Sequence, residues 1–238
     1  MFSVSPESES STSRPFLIWQ RIIDWAQDHY RTRTFNKDDK IPVRPGLLYL
    51  VQRGSVRLVS AQISASTKTP SLVARLSANN DPDNLSPDES FLGFVGAGQP
   101  FEIVSQSPFT ISSYAHVDKT TVLWMYWHDL DNWPYFRREV MEAFRDQNQR
   151  KLLWLGTMGQ RRTIDRLLGF LTLLIEEYGE VCEQGYYLPW TLTHAQIGSA
   201  IGSTRVTVTR LMGKLRSKGL IITLDDNLIC LPPSNPDS

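Results

Sequence analysis

Apolar residues recur at helical spacing at both ends of this chain and alternate with polar ones in the stretch between. Over residues 16–29, Leu17, Ile18, Ile22, Ile23 and Trp25 or Ala26 share one side of a short amphipathic helix, which must cover another surface. His29 lies near its end, where the helix dipole suits a charged imidazole. From Tyr30 the period shortens. Strands are expected at 31–35, 47–51 and 56–59, with Gly54-Ser55 as a hairpin turn between the last two. Further strands are expected at 91–95, 101–104, 110–116 and 121–127. Short strands broken by Gly, Pro and Asp predict a jelly-roll or similar small β-barrel. The polar stretch at 60–90 reads as a long loop or insertion, with a short structured piece around 72–76.

Helical spacing returns at Pro134, a residue suited to the first position of a helix. Val140, Phe144, Asn148, Leu152 and Leu155 follow at steps of four, four, four and three. An apolar seam interrupted by one asparagine predicts a two-stranded dimer interface, the alternative being a seam that packs on the barrel. Residues 164–178 form another helix, apolar at Leu167, Leu168, Phe170, Leu171, Leu174 and Ile175, which supplies the core of a C-terminal domain. Residues 179–187 read as a polar connector.

The stretch T-H-A-Q-I-G-S-A-I-G-S-T-R-V-T-V-T-R-L-M-G-K-L-R-S-K-G-L at 193–220 predicts two helices joined by a tight turn. Thr193 caps the first, Ile197 and Ile201 give it one apolar side, and Gly202 ends it. Ser203 or Thr204 caps the second, whose core stripe is Val208, Leu211, Met212 and Leu215. Its other side carries Arg205, Thr207, Thr209, Arg210, Lys214, Arg216 and Lys218 and no carboxylate. That is the pattern of a helix-turn-helix with a recognition helix. A strand at 220–223, a turn at 225–227 and a return strand at 228–231 follow as a wing.

The formal net charge is zero, so nucleic-acid affinity must come from a local cation cluster and not from a global field. Cys182 and Cys230 are the only cysteines; without a C-x-x-C spacing they read as small apolar fillers in a reducing cytoplasm. No run approaches the ~20 apolar residues of a membrane span, and no signal peptide is visible, so a soluble cytoplasmic protein is expected. Residues 1–14, rich in Ser, Glu and Pro, are expected to be disordered.

A barrel, a long helix and a winged helix-turn-helix, in that order, resemble the CRP/FNR family of bacterial transcription regulators. The motif L-T-H-A-Q-I-G-S-A-I-G-S-T-R-V-T-V-T-R-L-M-G-K-L-R resembles the recognition motif of that family's cyanobacterial NtcA/DevH-like branch. The resemblance implies an α+β fold: a disordered start at 1–14, a cyclic-nucleotide-binding-like jelly-roll sensor domain at 15–133, a dimerisation helix at 134–160 and a winged helix-turn-helix domain at 161–238. It implies a homodimer on double-stranded DNA, with RNA polymerase as a further partner. It places Arg205, Val206 and Arg210 where this family's recognition helix reads bases. Arginine can grip guanine O6 and N7, whereas valine can only pack on a group such as the thymine methyl. A palindromic GTA-type site is therefore expected. Thr193, Gln196, Thr204, Thr207 and Lys214 are expected on phosphate or sugar, with Ser203 and Thr209 also at the DNA face.

The sensor half departs from the family's ligand patterns. The cyclic-nucleotide cassette needs a Gly-Glu and a later Arg-Ser. The matching stretch F-L-G-F-V-G-A-G-Q-P-F-E-I-V-S-Q-S-P-F-T has Glu102 out of place, and no arginine lies between Arg75 and Arg137. The branch's 2-oxoglutarate pocket uses an Arg and a Glu that become Gln147 and Leu152 here. Neither cAMP nor 2-oxoglutarate is expected as effector; an apolar or aromatic one, or none, fits better, and its identity is not legible. Phe91, Phe94, Phe101, Phe109, Tyr114, Trp124 and Tyr126 read as ordinary barrel core. No cofactor or metal is expected, haem through His116 or His128 being disfavoured. Two other functions compete. A jelly-roll metal enzyme would need several His and a carboxylate converging in the barrel, and the sequence has no H-x-H pair. A protein-interaction module would turn its basic helix to an acidic partner.

Overall fold

The computed structural model describes residues 16–62, 89–103 and 109–233. The expected disordered start, and residues 63–88 of the expected insertion, lie outside the described residues. Among the described residues, eight strands form the N-terminal domain: β1 (Thr32–Phe35), β2 (Lys40–Ile41), β3 (Leu47–Arg53), β4 (Ser55–Gln62), β5 (Glu89–Gly96), β6 (Pro100–Phe101), β7 (Phe109–Ala115) and β8 (Thr120–Tyr126). They make two four-stranded sheets, ordered β1-β8-β3-β6 and β2-β7-β4-β5, with every pairing antiparallel. This is a jelly-roll sandwich, as the spacing of short strands predicted.

Gly54 does not close a hairpin, contrary to expectation. Strand β3 pairs in the first sheet and β4 in the second, so the chain crosses between sheets at Gly54. Its φ of +82° and the Thr120 hydroxyl, 2.5 Å from where a Cβ would sit, both require glycine. The periodicity of β3 cannot tell a hairpin partner from a sheet change. Strand β2 and the shortness of β6 were likewise not legible.

Both sides of the first sheet are buried, which sorts alternate residues into two cores. Tyr49, Val51 and Val122 point into the sandwich with Phe35, Val56 and Phe101. Leu48, Leu50, Leu123 and Met125 point outward, under helix α1 (Phe16–Asp28) and the start of helix α2 (Pro134–Met158). Helix α1 contributes Ile22, Ile23 and Ala26, and α2 contributes Phe136 and Val140. A 3-10 turn at Trp127–Asn132 links β8 to α2.

The C-terminal domain holds helices α3 (Thr163–Tyr178), α4 (His194–Ile201) and α5 (Arg205–Ser217). Its sheet, ordered β11-β12-β10-β9, comprises β9 (Glu180–Cys182), β10 (Gly185–Tyr187), β11 (Ile222–Thr223) and β12 (Ile229–Leu231). The expected polar connector at 179–187 is thus a hairpin that joins the wing's sheet. Its core gathers Leu167, Phe170, Leu171, Leu174, Ile197, Ile201, Val208, Leu211, Met212 and Leu215. Phe91 and Phe94 of β5 belong to this same cluster, not to the barrel interior expected for them. Phe109 and Tyr126 are half exposed. The two domains therefore share a continuous apolar contact.

The seam expected along α2 divides. Val140 is 1 % exposed against the barrel, and Phe144 packs on the same cluster. Asn148, Leu152 and Leu155 are exposed, the two leucines at 60 % and 65 %. Met141 is also exposed and continues their stripe at coiled-coil spacing. Barrel packing takes the first two positions because the start of the helix lies over the outer side of the first sheet, where Phe136 and Val140 join Leu123 and Met125.

Candidate nucleic-acid interface

The site is built around the turn between α4 and α5. Thr193 Oγ1 accepts from the Gln196 amide at 3.1 Å, and Gln196 Oε1 accepts from the Thr193 amide at 3.0 Å. This reciprocal pair satisfies two donors left unpaired at the helix start. Gln196 is buried at 6 % exposure, so its side chain serves the cap and does not reach outward to a phosphate as expected. Gly202, at φ +62° and ψ +51°, ends α4 in the left-handed region. Gly198 admits the turn, since a Cβ there would lie 2.8 Å from the Ser203 carbonyl oxygen. Thr204 caps α5, its Oγ1 accepting from the Thr207 amide at 3.2 Å.

Helix α5 buries Val208, Leu211, Met212 and Leu215 and exposes Arg205, Val206, Thr209, Arg210, Lys214 and Arg216. Val206 is 78 % exposed. Ser203 and Thr207 are half-buried at the turn and Thr204 is exposed. Among the described residues, no carboxylate pairs with Arg205, Arg210, Lys214 or Arg216, whereas arginines elsewhere, such as Arg57, Arg137 and Arg138, do have one. An unpaired basic stripe on a rigid helix is poised for an external polyanion.

His194 links the two helices. Thr209 Oγ1 donates to the Arg205 carbonyl at 3.0 Å, so the His194 Nδ1 at 2.8 Å must be the donor of the second bond. Burial, then Arg216 and Arg205, lower the His194 pKa, which keeps the ring neutral. A cleft of about 480 Å³ opens beside it, lined by Lys37 of the barrel together with Arg205, Arg216 and Asn227.

Four side chains that the sequence did not flag, Arg166, Ser199, Tyr178 and Gln99, fasten this domain's helices in place. Arg166 of α3 donates from Nε to the Ile201 carbonyl at 3.1 Å and from a terminal nitrogen to the Gln160 carbonyl at 3.0 Å, fastening the end of α4. Ser199 Oγ accepts from the Phe91 amide at 3.0 Å and donates to the Glu89 carbonyl at 3.3 Å, fixing α4 on β5. Tyr178 and Gln99 join α3 to the same strand. The only sequence hint was a polar residue beside an apolar run.

A second cavity, about 400 Å³, lies between β5, α2 and α3, with Phe91, Phe94, Trp154 and Leu155 among its walls. Arg150 and Lys151 reach its rim from α2, but Arg150 is already 3.8 Å from Glu177. Gln147 donates to the Pro100 carbonyl at 2.9 Å. The one buried barrel arginine among the described residues, Arg57, is held by Asp38 at 3.2 Å. His116 is buried between the Phe94 and Trp190 rings, while His128 is exposed beside Asp129. Among the described residues, no three His, Cys, Asp or Glu side chains converge to hold a metal ion, and no helix is long and apolar enough to cross a membrane.

Residues 165–232 match the Crp-like helix-turn-helix domain. The global nitrogen regulator of Nostoc sp. is 44% identical over 69 residues, which are 29% of this chain and 31% of that protein. Its counterpart in Synechococcus elongatus is 42% identical over 88 residues, 37% of this chain and 40% of that protein. The matches thus span less than half the length of these relatives. The fold is similar to that of a CRP-family transcriptional regulator from Thermus thermophilus, with TM-score 0.59 and 21% identity over 84% of this chain and 91% of that one. Jelly roll, long helix and helix-turn-helix thus give a fold similar to that of this regulator, and residues 165–232 are similar to the Crp-like helix-turn-helix domain.

Proposed function

We propose that this protein regulates transcription by binding a palindromic GTA-type DNA site as a homodimer in the cytoplasm, with RNA polymerase as a further partner. The observation that carries the reading is the exposed, unpaired cationic side of α5, set on a doubly capped turn. Arg205 and Arg210 read base edges, Val206 packs on a thymine methyl, and Thr193, Ser203, Thr204, Thr207, Thr209 and Lys214 position the backbone. The similarity to the nitrogen regulators spans 29% and 37% of this chain, and the Crp-like helix-turn-helix match covers residues 165–232, which hold this helix pair. It supports a shared type of site and carries no argument about the signal sensed.

The exposed Met141, Asn148, Leu152 and Leu155 stripe of α2 supplies the dimer seam. Two copies joined there present two recognition helices to half-sites about one helical turn apart. The cavity between barrel and α2 is walled mainly by aromatic and aliphatic groups and suits an apolar or aromatic effector, which acts by turning the recognition helices through α2. Its arginine is committed to Glu177, which disfavours a phosphate or a dicarboxylate there.

Selection of bound sites from random duplex DNA tests the reading. Recovery of a two-fold symmetric site with GTA half-sites is expected. Enrichment of no sequence over random DNA at physiological salt would sink it, and would favour an acidic protein partner for the same helix.

A further inference from the structure

Cys182 and Cys230 stand 48 residues apart in sequence, yet their sulfurs lie 3.8 Å apart. Cys182 ends β9 and Cys230 is central in β12, and both strands flank β10. Gly185 of β10 pairs with Cys182. A Cβ on Gly185 would run into the Leu231 carbonyl oxygen, so glycine alone lets β12 press this close to the strand between the two thiols. Cys182 is partly exposed and Cys230 fully buried. A thiol open to solvent beside a sheltered one is the arrangement of an attacking and a resolving cysteine.

We propose that Cys182 and Cys230 form an oxidisable dithiol, which hydrogen peroxide closes into an intrachain disulfide that weakens DNA binding. The Cys182 sulfur, deprotonated, attacks one peroxide oxygen; the O–O bond breaks, and the departing hydroxide takes the proton that Cys182 released. That leaves a sulfenic acid on Cys182 and one water. The Cys230 sulfur then attacks the Cys182 sulfur, the S–O bond breaks as the S–S bond forms, and the Cys230 proton leaves with the hydroxide as a second water. The two thiols supply the two electrons that reduce the peroxide. Burial, with the adjoining Cys182 thiol, pushes the Cys230 pKa up to about 11, so Cys230 stays protonated while Cys182 reacts first.

Closure must shorten the 3.8 Å gap to the roughly 2.05 Å of a disulfide. The movement falls on β12 and on the turn Asp225–Asn227 before it. Asn227 and Ile229 line the same cleft as Arg205 and Arg216, so pulling β12 toward β9 displaces the wing relative to the first turn of α5. The cross-link itself stands apart from the proposed function; its effect on DNA rests on that reading.

The test treats the full chain with hydrogen peroxide and then with dithiothreitol. Free thiols and intact mass are measured under denaturing, non-reducing conditions, and affinity is measured for the selected DNA site. The expected result is loss of both thiols and of the mass of two hydrogens within a single chain, with affinity about fivefold or more weaker and restored by the reductant. Cys182→Ser is expected to keep the reduced affinity and lose the response to peroxide, and Cys182→Ala serves the same purpose at this partly exposed position. Persistence of both thiols, or cross-links only between chains, overturns the dithiol. A disulfide that forms and leaves affinity unchanged overturns the switch. Reduced protein that binds no DNA sinks the proposed function instead, while mass and thiol count still decide the dithiol.

Discussion

The Tyr178 hydroxyl donates to the Phe94 carbonyl oxygen at 2.9 Å, tying the last turn of α3 to strand β5 of the barrel. Its ring fills the space that a side chain at position 96 would need, with a Cβ on Gly96 lying 2.8 Å from the ring. Burial, then Glu177, raises the phenol pKa well above its usual value, so the hydroxyl remains a donor. Tyr178→Phe removes only the bond and is expected to cost about 0.5–1.5 kcal/mol. Gly96→Ala must displace the ring and is expected to cost about 1–3 kcal/mol. Urea unfolding measures both; no loss in either variant would mean that the two domains are not held this way in solution.

Arg205 and Lys214 separate reading from holding. Arg205→Ala is expected to cost about 1–3 kcal/mol at one base pair and to relax preference there. Lys214→Ala is expected to weaken all duplexes alike and to lower the salt slope by about one. Titrations of matched and mismatched duplexes at several salt concentrations distinguish the two. Uniform loss for Arg205→Ala would move that residue to the phosphate backbone.

The division of the α2 seam gives opposite outcomes for neighbouring apolar residues. Leu152→Asp and Leu155→Asp change exposed positions and are expected to convert dimer to monomer without unfolding the barrel. Val140→Ala opens a buried site and is expected to cost about 1–3 kcal/mol with the dimer intact. Sedimentation and thermal melts read the two effects; a dimer that survives both aspartates rules out this stripe as its contact.

Burial first, then Arg57 and Lys37, lowers the His116 pKa to about 3. An unfolded histidine takes up its proton near pH ~6.5. Between these values the unfolded chain binds a proton that the folded one refuses. Stability is therefore expected to fall as pH drops below ~6.5, by up to about 1.4 kcal/mol per pH unit, and to stop falling on this account near the folded value. His116→Phe removes the proton-binding group and is expected to flatten that part of the profile. Unfolding midpoints at about pH 7 and pH 5 supply the comparison, and an identical slope in the variant would place the acid sensitivity elsewhere.

Local chemistry made the helix pair legible. Thr193, Gly202 and Thr204 cap or stop helices through their own backbones and nearest neighbours, and the stripe Val208, Leu211, Met212 and Leu215 follows from a 3.6-residue period. The limits of α2 and α3 and the alternation in β3 and β8 come from the same short-range rules. Only tertiary structure decided which surface each apolar stripe meets. Periodicity shows that Val140 and Leu152 are apolar and not that one meets the barrel while the other stays exposed. Nor does it show that Phe91 and Phe94 leave the barrel to join the C-terminal core, that Gln196 turns inward, or that Gly54 changes sheets. The closeness of Cys182 to Cys230 depends on strands brought together around a whole helix pair. Contacts of that kind depend on how separate elements pack, and a pattern read along one element does not contain them.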